Sequence, residues 1–180
     1  NALQESYAPY MQNHRLRREI IATSVTNSLV NRMGSTFLLR MQEDTGETPA
    51  QIAKAYSIVR EAMLARNYWS EIDALDHRVS EKIQLQALKG IWNLQRNWTR
   101  WLLTRPGQRL NIAALVERYQ MPFAELLSAI PTVLTLNDKE KFDAENKHLL
   151  SLGLSASLAH FIASLPFIDS ALDIIELSRI

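Results

Sequence analysis

Cysteine is absent from the 180 residues. Its absence excludes disulfides, thiolate-bound zinc, iron–sulfur clusters and a cysteine nucleophile. A disulfide-free chain fits a cytoplasmic setting. Charge of one sign is also missing: 20 Lys and Arg face 19 Asp and Glu, a formal net charge of +1. Nucleic-acid binders carry a clear basic excess, so no nucleic-acid partner is expected. No apolar run reaches the roughly 20 residues that span a bilayer, and no membrane partner is expected. The first residues lack the basic, apolar and small-residue order of a signal peptide. They also lack an initiator methionine. Asn1 and Ala2 therefore read as a tag remnant, residues 1–11 as a leader, and the chain as a piece of something longer.

Glycine is sparse and scattered. Gly34, Gly46, Gly90, Gly107 and Gly153 form neither a GxGxxG turn nor a P-loop. Both motifs exist to let a backbone approach phosphates, so no cofactor-binding residue is assigned here. Histidine is equally dispersed. Among His14, His77, His148 and His160, none stands three or four residues from another, so no helix offers a metal pair. No metal is expected. His160, beside Phe161, reads as a packed or surface histidine. Asp73 and Asp76 read as a solvated acidic turn rather than an acid/base pair. No GxSxG elbow accompanies the serines. No catalytic residue is assigned.

What the chain does have is helical periodicity. Ile52, Ala55, Tyr56, Val59 and Met63 recur at the spacing of one helix face. Thr48 is placed to cap that helix, Pro49 fits its first turn, and Gly46 can end the one before. The expected helices are 12–44, interrupted at Gly34 by a kink or a close contact, then 49–66, 68–75 and 81–104. Ser80 is the expected cap of the last. Shorter helices follow at 111–119, 122–130, 138–151, 156–164 and 167–178, with Pro131 able to kink rather than divide. The fold class is all-α: an irregular multi-helix bundle of about eight helices with no sheet. Residues 12–105 form a long-helix subdomain. Residues 106–180 form a short-helix subdomain that reads as truncated at its end, with an exposed apolar patch near Leu172–Ile180.

Three features stand out on these helices. Arg15, Arg17 and Arg18 cluster beside His14, either as a solvated first turn or as a docking patch for an acidic partner surface. Thr23, Asn27, Asn31 and Gly34 share one helix face. Asparagine is a poor interior helix residue, so this row is either an exposed polar stripe or a buried hydrogen-bond ladder. Trp92, Trp98 and Trp101 lie on one helix. Core packing is their default role, and Arg96 and Arg100 stand where cation–π contacts can form.

The run His14-Arg15-Leu16-Arg17-Arg18-Glu19-Ile20-Ile21-Ala22-Thr23 continues into Asn27, Val30-Asn31-Arg32-Met33-Gly34 and Thr36-Phe37. With Glu43-Asp44-Thr45-Gly46, Ala55-Tyr56, Ala74-Leu75-Asp76 and Thr99-Arg100-Trp101-Leu102-Leu103, it resembles the stretch after the catalytic core of the large NAD-specific glutamate dehydrogenases of bacteria. The likeness covers residues 12–105 and loosens beyond, where Ala171-Leu172-Asp173-Ile174 carries it. The resemblance implies a long parent polypeptide converting L-glutamate, NAD and water to 2-oxoglutarate, ammonia and NADH. NAD would bind elsewhere in the parent. The implied partners are the catalytic domain of the same polypeptide and further copies of the parent in a homo-oligomer. Arg15, Arg17, Arg18, Asn27, Asn31, Arg32, Gly34 and Arg100 are assigned to interdomain docking. The competing reading is a stand-alone helical adaptor that takes a partner helix in a groove.

Overall fold

The structure is a computed structural model that describes residues 13–76, 78–105, 107 and 109–179. Among the described residues the chain is all-α, with no strand. The helices are α1 Arg17–Met33, α2 Phe37–Thr45, α3 Pro49–Ala62, α4 Ala65–Asp73 and α5 Glu81–Thr104. They continue as α6 Ile112–Val133, α7 Leu136–Ser151, α8 Ala156–Ser164 and α9 Ala171–Leu177, with a 3-10 turn at Leu165–Phe167. The 1–11 leader, His77, Pro106 and Ile180 lie outside the described residues.

The helix ends follow local chemistry. Thr48 Oγ1 accepts from the Gln51 N–H at 3.3 Å and opens α3, with Pro49 in its first turn. Gly46, at φ +72°, closes α2 in the left-handed conformation that favours glycine. Ser80 holds the cap position of α5 but makes no side-chain cap bond.

Two expectations need correction. The helix expected over 12–44 is two helices, and Gly34 is where the first one stops. Its φ of +85° is outside helical space, and a Cβ there would meet nothing within 4 Å. Gly34 is thus a terminator, not a point of close helix contact. The helices expected at 111–119 and 122–130 are one continuous α6 that contains both Pro122 and Pro131. Leu115, Tyr119, Phe123, Leu127 and Ile130 form one buried stripe along it. Burying such side chains contributes about 1.5–3 kcal/mol each, enough to offset an interior proline's cost of about 3 kcal/mol.

α3 is the hub. Ile52, Ala55, Tyr56, Ile58, Val59, Ala62 and Met63 around its end are all buried. It packs on α6 and α5, and its other sides meet α1, α2 and α4. Since α3 precedes residue 105 and α6 follows it, the hydrophobic core runs through both halves of the chain. In the C-terminal helix Leu172 and Ile175 join that core, while Ile174 and Leu177 stay exposed. The apolar patch expected near Leu172–Ile180 is therefore confined, among the described residues, to those two side chains.

Candidate docking surface

Among the described residues, helix α1 is attached through its C-terminal end. Leu29 and Met33 are its buried residues. Nearby, Ser28 Oγ lies 2.9 Å from the Tyr56 hydroxyl and accepts from Arg60 Nη1 at 3.0 Å. Every residue from Arg17 to Asn27 is exposed except Val25, which is half-buried. Leu16, Ile20 and Ile21 are 45%, 40% and 50% exposed, and Leu16, Ile20, Thr23, Ser24 and Asn27 line a shallow groove. Isolated helices shorter than about 12 residues are marginal in water without a packed face. The first turns of α1 have an apolar face on which no other described helix packs.

The predicted docking residues gather around this helix, with one exception. Arg15, Arg17 and Arg18 are exposed at its start, where they border Leu16, Ile20 and Ile21. Asn27 and Asn31 are exposed as well, so the row is the polar stripe and not the buried ladder. The polar group that does tie α1 to the body is Ser28, one residue along from Asn27. Arg32 is engaged locally: its Nη2 donates to Asp73 Oδ2 at 2.9 Å, and its guanidinium lies 5.0 Å from the Trp69 ring centroid. Arg100 lines neither the α1 groove nor the cleft beside Arg32. It lines a separate cleft of about 310 Å³ with Phe37, Arg40, Trp92, Arg96 and Asn97.

The tryptophans are fastened by their indole N–H groups. Trp92 donates to the Met33 carbonyl at 3.0 Å, Trp98 to the Asp169 carbonyl at 3.1 Å, and Trp101 to Asp173 Oδ1 at 2.8 Å. Arg96 lies over Trp92 at 4.9 Å and Arg105 over Trp101 at 3.9 Å. Arg100 makes no such contact among the described residues. Trp98 meets the edge of Phe123 instead.

Gln95 and the partner of His160 escaped the sequence reading. Gln95 is fully buried, and neither amide atom has a hydrogen-bond partner. Its position was readable, because Ile91, Leu94, Trp98 and Leu102 put residue 95 on the buried stripe of α5. Its residue type pointed to the surface. His160 Nε2 lies 2.8 Å from the Leu127 carbonyl, a contact with no signature in sequence.

No group of three His, Asp or Glu side chains among the described residues could hold a metal. With no strand there is no strand-to-helix turn of the kind that seats a dinucleotide, so these residues do not fit NAD in that manner. No single described helix is long and apolar enough to cross a membrane.

Comparison with known proteins fits this picture of a helical piece. Residues 1–180 match the family described as "Glutamate dehydrogenase, C-terminal". The chain belongs to that family. It is 33% identical over 177 residues to the NAD-specific glutamate dehydrogenase of Halomonas elongata, covering 98% of this chain and 11% of that protein. Similarity to the Pseudomonas aeruginosa enzyme of the same name is also 33%, over 178 residues, 99% of this chain and 11% of that protein. The Mycobacterium tuberculosis enzyme is 29% identical over 176 residues, 97% of this chain and 11% of its own length. The chain thus spans about one ninth of the relatives it matches. The resemblance stated on residues 12–105 extends over nearly the whole chain.

Proposed function

We propose that this chain is the helical C-terminal segment of an NAD-dependent glutamate dehydrogenase and that it docks on the rest of that polypeptide through α1. The parent reaction takes L-glutamate, NAD and water to 2-oxoglutarate, ammonia and NADH. Its reacting groups and its NAD site lie in the catalytic domain, outside this segment. The segment contributes position: it holds that domain, and copies of the parent, in their working arrangement. The setting is the cytoplasm.

One observation carries the reading, the exposed apolar face of Leu16, Ile20 and Ile21 beside Arg15, Arg17 and Arg18. Apolar residues at helical spacing with a basic border suit a partner face that is apolar at its centre and acidic at its rim. Asn27 extends the same groove with an amide available for hydrogen bonds across an interface.

The test is the double substitution Ile20→Asp and Ile21→Asp. In the isolated 180-residue chain both sites are exposed, so the melting temperature should stay within the range expected of surface changes, about 0.5 kcal/mol. In the full-length enzyme the same pair should loosen domain packing and lower assembly and glutamate oxidation together. Light scattering and NADH production read these two effects. Full-length enzyme with unaltered assembly and turnover would refute α1 as the docking element.

A further inference from the structure

We propose that the cleft between α1, α4 and α5 is a binding site for a small carboxylate that carries a second hydrogen-bonding group. The cleft has a volume of about 210 Å³ and is lined by Asn31, Arg32, Trp69, Leu88, Lys89, Trp92 and Gln95. A single water needs only about 10–15 Å³ measured this way, so the space admits an organic molecule.

Gln95 is what points to a ligand. Its side chain is 0% exposed, and its Oε1 and Nε2 have no partner. Buried side-chain amides are almost always paired, because an unpaired donor or acceptor loses its water without replacement. Helix α5 could carry a leucine or methionine at this position and fill the same volume. An amide at the base of a cleft offers one acceptor and one donor to whatever occupies it. Half-buried Leu88 lines the cleft with Gln95, and Trp92 is held in its wall by the bond to the Met33 carbonyl.

The rim supplies the charge. Lys89 is exposed and makes no ion pair with a described residue. Arg32 is positioned by Asp73 at 2.9 Å and by the Trp69 ring at 5.0 Å. Lys89, with Arg32 already paired to Asp73 beside it, favours an anion, and the indole rings of Trp69 and Trp92 favour a short apolar stem behind it. The Asn31 amide adds a second donor and acceptor on the α1 side. A carboxylate at Lys89 and Arg32, with a polar group reaching Gln95, uses all of these at once. Inorganic phosphate would satisfy the cations and leave Gln95 unpaired. This site does not depend on docking by α1, and its test uses the 180-residue chain alone.

The probes are L-glutamate and succinate, with inorganic phosphate as the comparison anion, titrated calorimetrically into the 180-residue chain. At least one of the two acids should bind with one-to-one saturation. Lys89→Ala, at an exposed position, should leave the fold unchanged and weaken binding by about tenfold or more. Gln95→Leu should raise the melting temperature and weaken binding at least as much. Should Gln95→Leu fail to fold, Lys89→Ala alone decides the matter. Silence from both acids at millimolar concentration, which leaves the cleft to water, overturns the proposal. So does binding that Lys89→Ala leaves intact, or phosphate binding as tight as that of the acids.

Discussion

Ser28 fastens α1 to the body with one hydroxyl. It accepts from Arg60 and lies 2.9 Å from the Tyr56 hydroxyl, so three polar groups from two helices satisfy one another. Tyr56 and Arg60 are both buried, and an unpaired hydroxyl or guanidinium there would be costly. Tyr56→Phe keeps the ring and its edge contact with Phe37 at 6.3 Å while removing the hydroxyl. The expected loss is about 1 kcal/mol, read from the urea midpoint; an unmoved midpoint would show that the hydroxyl adds nothing. Spacing alone marks Tyr56 as core, because it sits on the Ile52, Ala55, Val59 stripe. Spacing does not mark Ser28. Its inward turn depends on how α1 crosses α3, which the sequence of α1 does not contain. The Asn27 and Asn31 row marks the exposed side of α1 and leaves Ser28 unmarked. The basic start of α1 was legible because Arg15, Arg17 and Arg18 are too polar to be buried without partners.

At the scale of elements, α6 shows why local punctuation misled. Pro131 has no N–H to give the Leu127 carbonyl four residues earlier. That carbonyl is met from outside the helix, by His160 Nε2 of α8 at 2.8 Å. A histidine on one helix therefore repairs the hydrogen bond that a proline removes from another. The repair makes a continuous α6 tolerable and also gives a half-buried histidine a structural partner. Sequence shows both residues and cannot show that they meet, because they are brought together only by packing of α8 on α6. By contrast α3, α5 and α8 match the expected spans to within a few residues, since their stripes and end signals agree with one another. The cycle that tests the repair has three variants. His160→Leu should cost about 1–3 kcal/mol by leaving the Leu127 carbonyl unpaired. Pro131→Ala should be neutral or stabilising, because it restores an N–H. In the double variant that N–H reaches Leu127, so the cost of His160→Leu should shrink to well under half. Strict additivity in thermal denaturation would sever the link between the two positions.

For the molecule as a whole, the question is what keeps the last helix, α9, on the body. Its apolar contacts are few, with Ala171, Leu172 and Ile175 buried. Polar attachments make up the difference, and they reach two different helices. Asp173 accepts from Trp101 at 2.8 Å and from Arg105 at 3.0 Å on and just after α5. Glu176 pairs with Arg118 on α6, whose Nε donates to Oε1 at 2.7 Å while Nη2 bonds Oε2. Burial works against ionisation of Glu176. Hydrogen bonds from Arg118 and Tyr119, with the charges of Arg118 and Arg105, outweigh it and hold the carboxyl below its ordinary range. A carboxyl depressed in the folded state stabilises the fold above its unfolded pKa, about 4.3 for glutamate. That contribution is lost as pH falls through the lower, folded value. Glu176→Gln should therefore lower stability at pH 7 by about 1 kcal/mol, the scale of a partly exposed pair. The deficit against the unsubstituted chain should hold down to about pH 4.3 and then close in stronger acid, where Glu176 itself becomes neutral. Melting curves of the two chains across that range would decide it: parallel curves with a constant gap would mean that Glu176 acts through packing and not through its charge.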